Sequence, residues 1–220
     1  MIKPIQLRIP REEFDFQTLL DALKDYARPR DKISDLIRKK VIIRIKKGLY
    51  VLGEDYRTRP YSRDLLANLI YGPSYVSLDS GLQHYGFIPE NVEAVTSVTT
   101  GRSRKFHTPI GLFTYRQIPL KAFRIGMTRM TMNDGLAYLI ATPEKCLSDK
   151  IRQDRGTAIR NREEMQHYLV ENLRIDESSL VSLDPEKIAH IASRYRSRKI
   201  HKLGDFVRRL RLKDDRSYNE

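Results

Sequence analysis

Residues 28–52 read RPRDKISDLIRKKVIIRIKKGLYVL, and this stretch decides how the N-terminal part of the chain folds. Its first half repeats apolar side chains at helical spacing, at Ile33, Leu36, Ile37 and Val41. This spacing predicts a helix with a polar outer face. Its second half contains two β-branched runs joined by Lys46-Lys47-Gly48, which predicts a hairpin with a cationic tip. A basic helix followed directly by a basic hairpin is the arrangement of a winged helix-turn-helix, whose helix fits the major groove of DNA.

The same stretch carries a strong positive charge. Residues 28–47 contain nine basic and two acidic side chains, which leaves a net charge of +7. The predicted DNA contacts are the polar and basic residues of the helix and hairpin: Arg28, Arg30, Lys32, Ser34, Arg38, Lys39, Arg44, Lys46 and Lys47. Residues in the first turns of the helix are expected to read bases, and the lysines at the hairpin tip to bind phosphates. The alternative is a solvated helix beside an edge hairpin protected by lysines.

A second predicted helix precedes this stretch. Apolar side chains recur at helical spacing between residues 16 and 27, and Asp15 is placed to cap the first turn. Pro29 disfavours helix at Arg28, so a short turn should join the two helices. The first helix would then support the DNA-reading helix. Residues 2–10 show no pattern that assigns them to an element.

Composition points to a polyanionic partner. The 220-residue chain is 40% hydrophobic, enough for a core, and has a formal net charge of +13 with a pI near 9.8. Such a charge favours nucleic acid first and an anionic membrane surface second. No apolar run approaches the roughly 20 residues of a membrane-spanning helix, no signal peptide opens the chain, and tryptophan is absent. A membrane partner is therefore not expected.

The residues of common catalytic and metal sites are sparse. Cys146 is the only cysteine, which excludes an intrachain disulfide framework and a cysteine-based zinc site and favours a reducing cytoplasm. Cys146 itself is expected to be a small core residue. The histidines are scattered, and the sequence has neither a phosphate-binding P-loop nor an Asp-x-Asp pair. We therefore expect no enzymatic activity, no cofactor and no metal site.

The chain divides at a polar segment. Residues 53–60 end in a proline and read as a linker between a winged helix-turn-helix domain at 1–58 and a second domain at 60–220. In the second domain, strands are predicted near residues 92–98, 111–116 and 126–132, with a loop at 100–105. Helices are predicted at 62–71 and 78–85, after Thr142-Pro143 and Asp184-Pro185, and at the end of the chain. Strands followed by helices favour an α+β fold.

A second basic surface is possible in this domain. Its candidates are the arginines and the lysine of the predicted loop and of the last helix: Arg102, Arg104, Lys105, Arg208, Arg209 and Arg211. They would face phosphates or RNA. The alternative, equally favoured by the pattern, is a solubilising helix face near a frayed chain end.

Two segments of the second domain resemble a known family. Residues 75–90, YVSLDSGLQHYGFIPE, and 141–151, ATPEKCLSDKI, resemble conserved segments of the AbiE-type antitoxins of type IV toxin–antitoxin systems. With the KGLY of the hairpin at 47–50, the resemblance covers residues 12–155 in the family's order. Gly81 and Cys146 stand where the family usually has alanine. Residues 156–220 match no segment of that family.

The resemblance implies a bacterial or archaeal cytoplasmic protein with two roles. The N-terminal domain would repress its own operon, and the second domain would counteract a nucleotidyltransferase-like toxin, generally without a stable complex in this family. Read physically, Ser77 and Thr142 would cap helices and Gly86 would end one. Both segments are therefore expected to be mainly architectural; the alternative is that an exposed polar member, Gln83, His84, Glu144 or Lys145, has a function.

Three hypotheses follow from the sequence. The leading one is a DNA-binding repressor that is also an antitoxin, with its own operator DNA and a toxin as partners. The first alternative is a plain winged-helix regulator whose second domain senses a ligand or dimerises. The second alternative is a nuclease or nucleotide-modifying enzyme with a DNA-targeting domain.

Overall fold

The computed structural model describes residues 8–9, 11–154, 156–157 and 159–217 and has the expected α+β class. The N-terminal part contains β1 (Glu13–Asp15), α1 (Phe16–Ala22), α2 (Pro29–Arg38), β2 (Ile42–Lys46) and β3 (Leu49–Leu52). The middle part contains α3 (Arg63–Ile70), β4 (Ser74–Val76), α4 (Leu78–His84), β5 (Val95–Thr99), β6 (Arg104–Thr108), β7 (Gly111–Gln117), α5 (Leu120–Phe123), β8 (Met127–Thr131) and β9 (Ala137–Ala141). The last part contains α6 (Pro143–Gln153), α7 (Arg162–Gln166), a π-helix (His167–Asn172), α8 (Glu177–Val181), α9 (Pro185–Tyr195) and α10 (Arg198–Ser217).

The helix and hairpin predicted from residues 28–52 are confirmed as elements. Helix α2 begins at Pro29 and buries Ile33 and Leu36, and β2 and β3 pair in antiparallel register. Gly48 takes a φ of +86° in the turn between them, a conformation that glycine adopts without a steric penalty. Asp15 caps α1 as predicted, because its side chain accepts a hydrogen bond from the Thr18 amide at 2.8 Å. The sequence missed β1, which joins the hairpin in a three-stranded sheet of order β1-β3-β2.

The second sheet has six strands in the order β6-β7-β5-β4-β9-β8. The predicted strands near 92–98, 111–116 and 126–132 are present as β5, β7 and β8, whereas β4 and β9 were not predicted. The predicted loop at 100–105 is partly wrong, because Arg104 and Lys105 begin β6. The polar segment Arg104–Thr108 is an edge strand because it pairs in antiparallel register with β7. The residue pattern of the segment alone does not predict a strand.

Each face of this sheet has its own buried cluster. On one face, side chains of β4, β5 and β9 join α4, α6 and the C-terminal helices in a cluster that includes Leu78, Leu82, Leu147 and Ile151. On the other face, α3 covers β7 and β9, and Phe113 and Tyr115 are fully or almost fully buried. Among the described helices, none has both the length and the apolar character that crossing a membrane requires.

Contacts cross the predicted linker. Ile45, Leu49 and Val51 of the hairpin share the cluster of α3 and the six-stranded sheet. Arg59 pairs with the buried Glu13 carboxylate at 2.8 Å, and this carboxylate also accepts the Ser62 amide. The N-terminal hairpin and the six-stranded sheet with α3 are therefore in direct contact across this segment. The domain boundary at residues 58–60 stays a prediction. Deleting the residues before it would expose the apolar surface of α3 and the sheet that the hairpin covers.

Two of the predicted helix caps are wrong. Ser77 precedes α4 and Thr142 precedes α6, but neither side chain accepts a capping hydrogen bond from the described residues. The Ser77 hydroxyl instead donates to Asp149 at 2.8 Å. The caps at Asp184 and Gly86 are confirmed: the Asp184 side chain accepts the amides of the first turn of α9, and Gly86 has a φ of +71° after α4.

Candidate nucleic-acid interface

The outer face of α2 is polar and accessible. Its apolar side points into the N-terminal cluster, so Arg30, Ser34 and Arg38 are turned to solvent. Arg28, at the N-cap position, is also exposed. This arrangement follows from the helical spacing of the apolar residues, which leaves the intervening polar positions outside. The predicted base-reading side chains therefore lie on the surface of the helix, except that Lys32 is only partly exposed.

Asp35 organises three of the predicted cationic contacts. Its carboxylate lies 2.6 Å from Arg38, 2.9 Å from Lys39 and 3.7 Å from Lys32. Hydrogen bonds from Arg38 and Lys39 lower the pKa of the Asp35 carboxyl to about 2. The carboxylate is thus ionised at neutral pH, and it partly offsets the charge that these three side chains present to a partner.

Four other predicted contacts have no carboxylate partner in the described part of the chain: Arg28, Arg30, Arg44 and Lys47. All four are exposed. They lie at the start of α2, on β2 and at the hairpin tip, so they flank the helix face. Side chains with uncommitted positive charge are the ones that can neutralise phosphates without first breaking an ion pair.

Lys46 is placed differently from the other candidates. Its ammonium donates to the carbonyl oxygen of Ile70 at the end of α3, and burial lowers the pKa of its side chain. A lysine near the last carbonyls of a helix also interacts favourably with the helix dipole. Lys46 therefore connects the hairpin to α3, while Lys47 projects from the tip.

The second group of basic candidates lies on separate elements. Arg102, Arg104 and Lys105 are exposed at or just before the edge strand β6, and Arg104 stacks over the Tyr71 ring at 5.6 Å. The other three side chains, Arg208, Arg209 and Arg211, are exposed on α10. Arg208 is engaged by Glu186 at 2.8 Å and by Asp205 at 3.2 Å. Its charge is therefore the least available of the six.

A polar cluster on the buried face of α6 was not predicted from the sequence. Lys145 and Asp149 are both fully buried and form an ion pair, and the Tyr195 hydroxyl bonds to both. Ser77 donates to the second oxygen of the Asp149 carboxylate. Glu144 and Lys145, named above among the polar residues of the motif, are both buried rather than exposed. Glutamate and lysine at the start of a helix are ordinarily exposed to water. The local sequence therefore gives no sign of this cluster, which depends on Tyr195 from a distant part of the chain.

Comparison with known proteins adds no relative. No protein-family model matches the chain, and a search of curated proteins finds no matching sequence. In the described part of the chain, no three His, Cys, Asp or Glu side chains form a group that could hold a metal ion. The resemblance to the AbiE-type antitoxins thus rests on the motifs quoted above.

Proposed function

We propose that this protein is a DNA-binding repressor of its own operon and the antitoxin of a type IV toxin–antitoxin pair. Its DNA-binding unit is a winged helix-turn-helix in which α2 enters the major groove and the β2–β3 hairpin is the wing. The proposal rests on four exposed cations that have no carboxylate partner among the described residues: Arg28, Arg30, Arg44 and Lys47. The order strand, helix, helix, hairpin supports it.

The antitoxin role rests on the motif resemblance of the second domain. It assigns the protein to a bacterial or archaeal cytoplasm with a nucleotidyltransferase-like toxin as functional partner. Lys145, Cys146 and Asp149 of the second motif are buried. These three residues therefore contribute to the core of the domain, and we expect antitoxin activity to use other, accessible side chains.

Operator binding is tested with a charge-matched pair of variants. Arg30→Ala/Arg44→Ala removes two unpaired cations from the proposed interface, and Lys121→Ala/Arg129→Ala removes two exposed cations from the second domain. In a mobility-shift titration on the DNA upstream of the gene, the first variant should bind at least tenfold more weakly. The second should bind like the wild type. Equal affinity of the wild-type protein for upstream and scrambled DNA would refute specific recognition.

The antitoxin role is tested in cells with the same full-length variants. The gene adjacent to this one is expressed from an inducible promoter, and each variant is supplied from an independent promoter. Arg30→Ala/Arg44→Ala should restore growth while failing to repress a reporter fused to the native promoter. If the wild-type protein represses the reporter but gives no rescue, the protein is a repressor without antitoxin activity.

A further inference from the structure

An open cleft of about 700 Å³ lies between the six-stranded sheet and helix α6. Thr96, Thr114 and Arg116 line it from β5 and β7. Alternate residues of β7, Phe113 and Tyr115, point into the cluster that the N-terminal hairpin shares. The cleft is therefore on the sheet face opposite the hairpin, and it is separate from the proposed DNA interface.

The helix side of the cleft presents fixed carboxylates. Lys150 lies 2.9 Å from Asp79 and 3.5 Å from Asp154, and the Tyr168 hydroxyl donates to Asp154 at 2.7 Å. Burial disfavours the charge of Lys150, but the hydrogen bond and charge of Asp79, together with Asp154, raise its pKa. Each carboxylate keeps acceptor positions that this lysine does not occupy.

The strand side presents a cation that no described carboxylate neutralises. Arg116 is exposed at the cleft and has no ion-pair partner among the described residues, and the neighbouring Thr114 hydroxyl can also donate. Exposed Pro119 and the largely buried Leu78 and Ile118 form an apolar patch, and Ser103, Gln117 and Gln153 also line the cleft. Leu78 has a φ of +60°, an uncommon conformation for a non-glycine residue, and it directly precedes Asp79.

We propose that this cleft binds a single nucleotide. Its phosphate would lie on Arg116, its ribose hydroxyls would donate to Asp79 and Asp154, and its base would pack on the apolar patch. The cleft volume falls within the range of about 300–1,000 Å³ that is typical of small-molecule sites, and it is too small for a double helix. Arginine suits this role because its guanidinium binds phosphate oxygens in a bidentate manner.

The nucleotide has two possible sources, a free mononucleotide or the end of a single strand. Full-length protein is titrated calorimetrically at 0.3 M salt, which suppresses contacts with exposed basic surfaces. The probes are the four 5′-nucleoside monophosphates, the corresponding nucleosides, inorganic phosphate, and single-stranded RNA hexamers with and without a terminal phosphate. A mononucleotide that binds as tightly as the hexamers identifies a free ligand. Tighter binding of a phosphorylated hexamer identifies a strand end.

Variants separate the cleft from the rest of the surface. Arg116→Gln should weaken binding of the best probe at least tenfold, whereas Arg129→Gln, at an exposed arginine of β8, should leave it unchanged. Thr114→Phe fills the cleft from a strand position that accepts aromatic side chains, and it should abolish binding. Circular dichroism and operator binding are measured for each variant to establish folding.

Two results would overturn the proposal. One is a dissociation constant above 1 mM for every mononucleotide and hexamer. The other is a bound probe whose affinity is the same in the wild type and in folded Arg116→Gln. Because operator binding is measured separately on the same samples, either result leaves the proposed repressor function unaffected.

Discussion

Replacing Lys145 by methionine should strongly destabilise the protein. Lys145 is fully buried on the inner face of α6, where its ammonium contacts Asp149 and the Tyr195 hydroxyl, and methionine keeps most of the side-chain volume. Loss of the ammonium leaves the Asp149 carboxylate buried with hydrogen bonds from Ser77 and Tyr195 only. Breaking a buried ion pair from one side costs about 3–5 kcal/mol. The two remaining hydrogen bonds favour the lower end, about 3 kcal/mol.

Urea denaturation followed by circular dichroism measures this cost. A loss of about 3 kcal/mol corresponds to a fall in melting temperature of roughly 6–12 °C for a chain of this size. The control is Lys121→Met, at an exposed lysine of α5, which should change the unfolding free energy by less than about 0.5 kcal/mol. Lys145→Met/Asp149→Leu should be less destabilised than the two single changes together, by roughly 1–3 kcal/mol. Additive single changes, or a Lys145→Met cost under about 1 kcal/mol, would refute the buried pair.

The same pair predicts a pH dependence. Burial lowers the pKa of Lys145 from its usual 10.5, and the charge of Asp149 opposes that shift. In Asp149→Asn the pKa of Lys145 should fall further, so the unfolded chain binds more protons than the folded one over a wider range below pH 10.5. Stability then rises with pH across that range. The rise of the unfolding free energy with pH should therefore begin at a lower pH in Asp149→Asn than in the wild type; identical pH profiles would contradict this coupling.

Three further predictions concern the interface and the motif. Lys47→Ala should lower the salt slope of log K for operator binding by about 0.9. Lys46→Ala should lower this slope by less than half as much, because the Lys46 ammonium is bound to the Ile70 carbonyl oxygen. Equal effects of the two changes would mean that both lysines contact phosphates. Asp35→Asn should tighten binding to any DNA duplex roughly three- to tenfold at 0.1 M salt, because it releases Lys32, Arg38 and Lys39 from a shared carboxylate. Unchanged affinity would show that these three cations do not contact DNA. Gly81→Ala should cost about 1–3 kcal/mol in urea denaturation, and Gly81→Ala/Cys146→Ala should recover it; an undiminished loss in the double variant would contradict a local clash.

Elements with local signals were predictable from the sequence. Helix α2 and the β2–β3 hairpin follow from the apolar spacing, the proline at the helix start and the glycine in the turn, all within 25 residues. The caps at Asp15 and Asp184 are equally local, because each side chain bonds to amides two or three residues away. Such features depend on neighbours that the sequence itself places together.

Features that depend on distant partners were not predictable in this way. The segment Arg104–Thr108 is polar and becomes a strand only because β7 pairs with it. The Ser77 hydroxyl turns from the helix it precedes to Asp149, which is 72 residues away in sequence. The position of Lys46 in the sequence predicts an exposed lysine at the hairpin tip, yet its ammonium donates a hydrogen bond to the Ile70 carbonyl oxygen. In each case a tertiary contact outweighs the local preference.

The two departures from the AbiE-type motifs touch each other in the fold. Gly81 lies on α4 and Cys146 on α6, and a Cβ added to Gly81 would clash with the Cys146 sulfur. Alanine at position 81 therefore requires a smaller residue at 146, and the sulfur at 146 requires glycine at 81. With alanine at both positions the sulfur is gone, and the nearest atom of residue 146 is its Cβ at 3.4 Å, an ordinary contact. The glycine in α4 is expected to cost up to about 1 kcal/mol in helix propensity, which packing of the buried sulfur offsets. Positions 81 and 146, which are 65 residues apart in sequence, therefore share one contact in the core, and a change at either position has to be matched at the other.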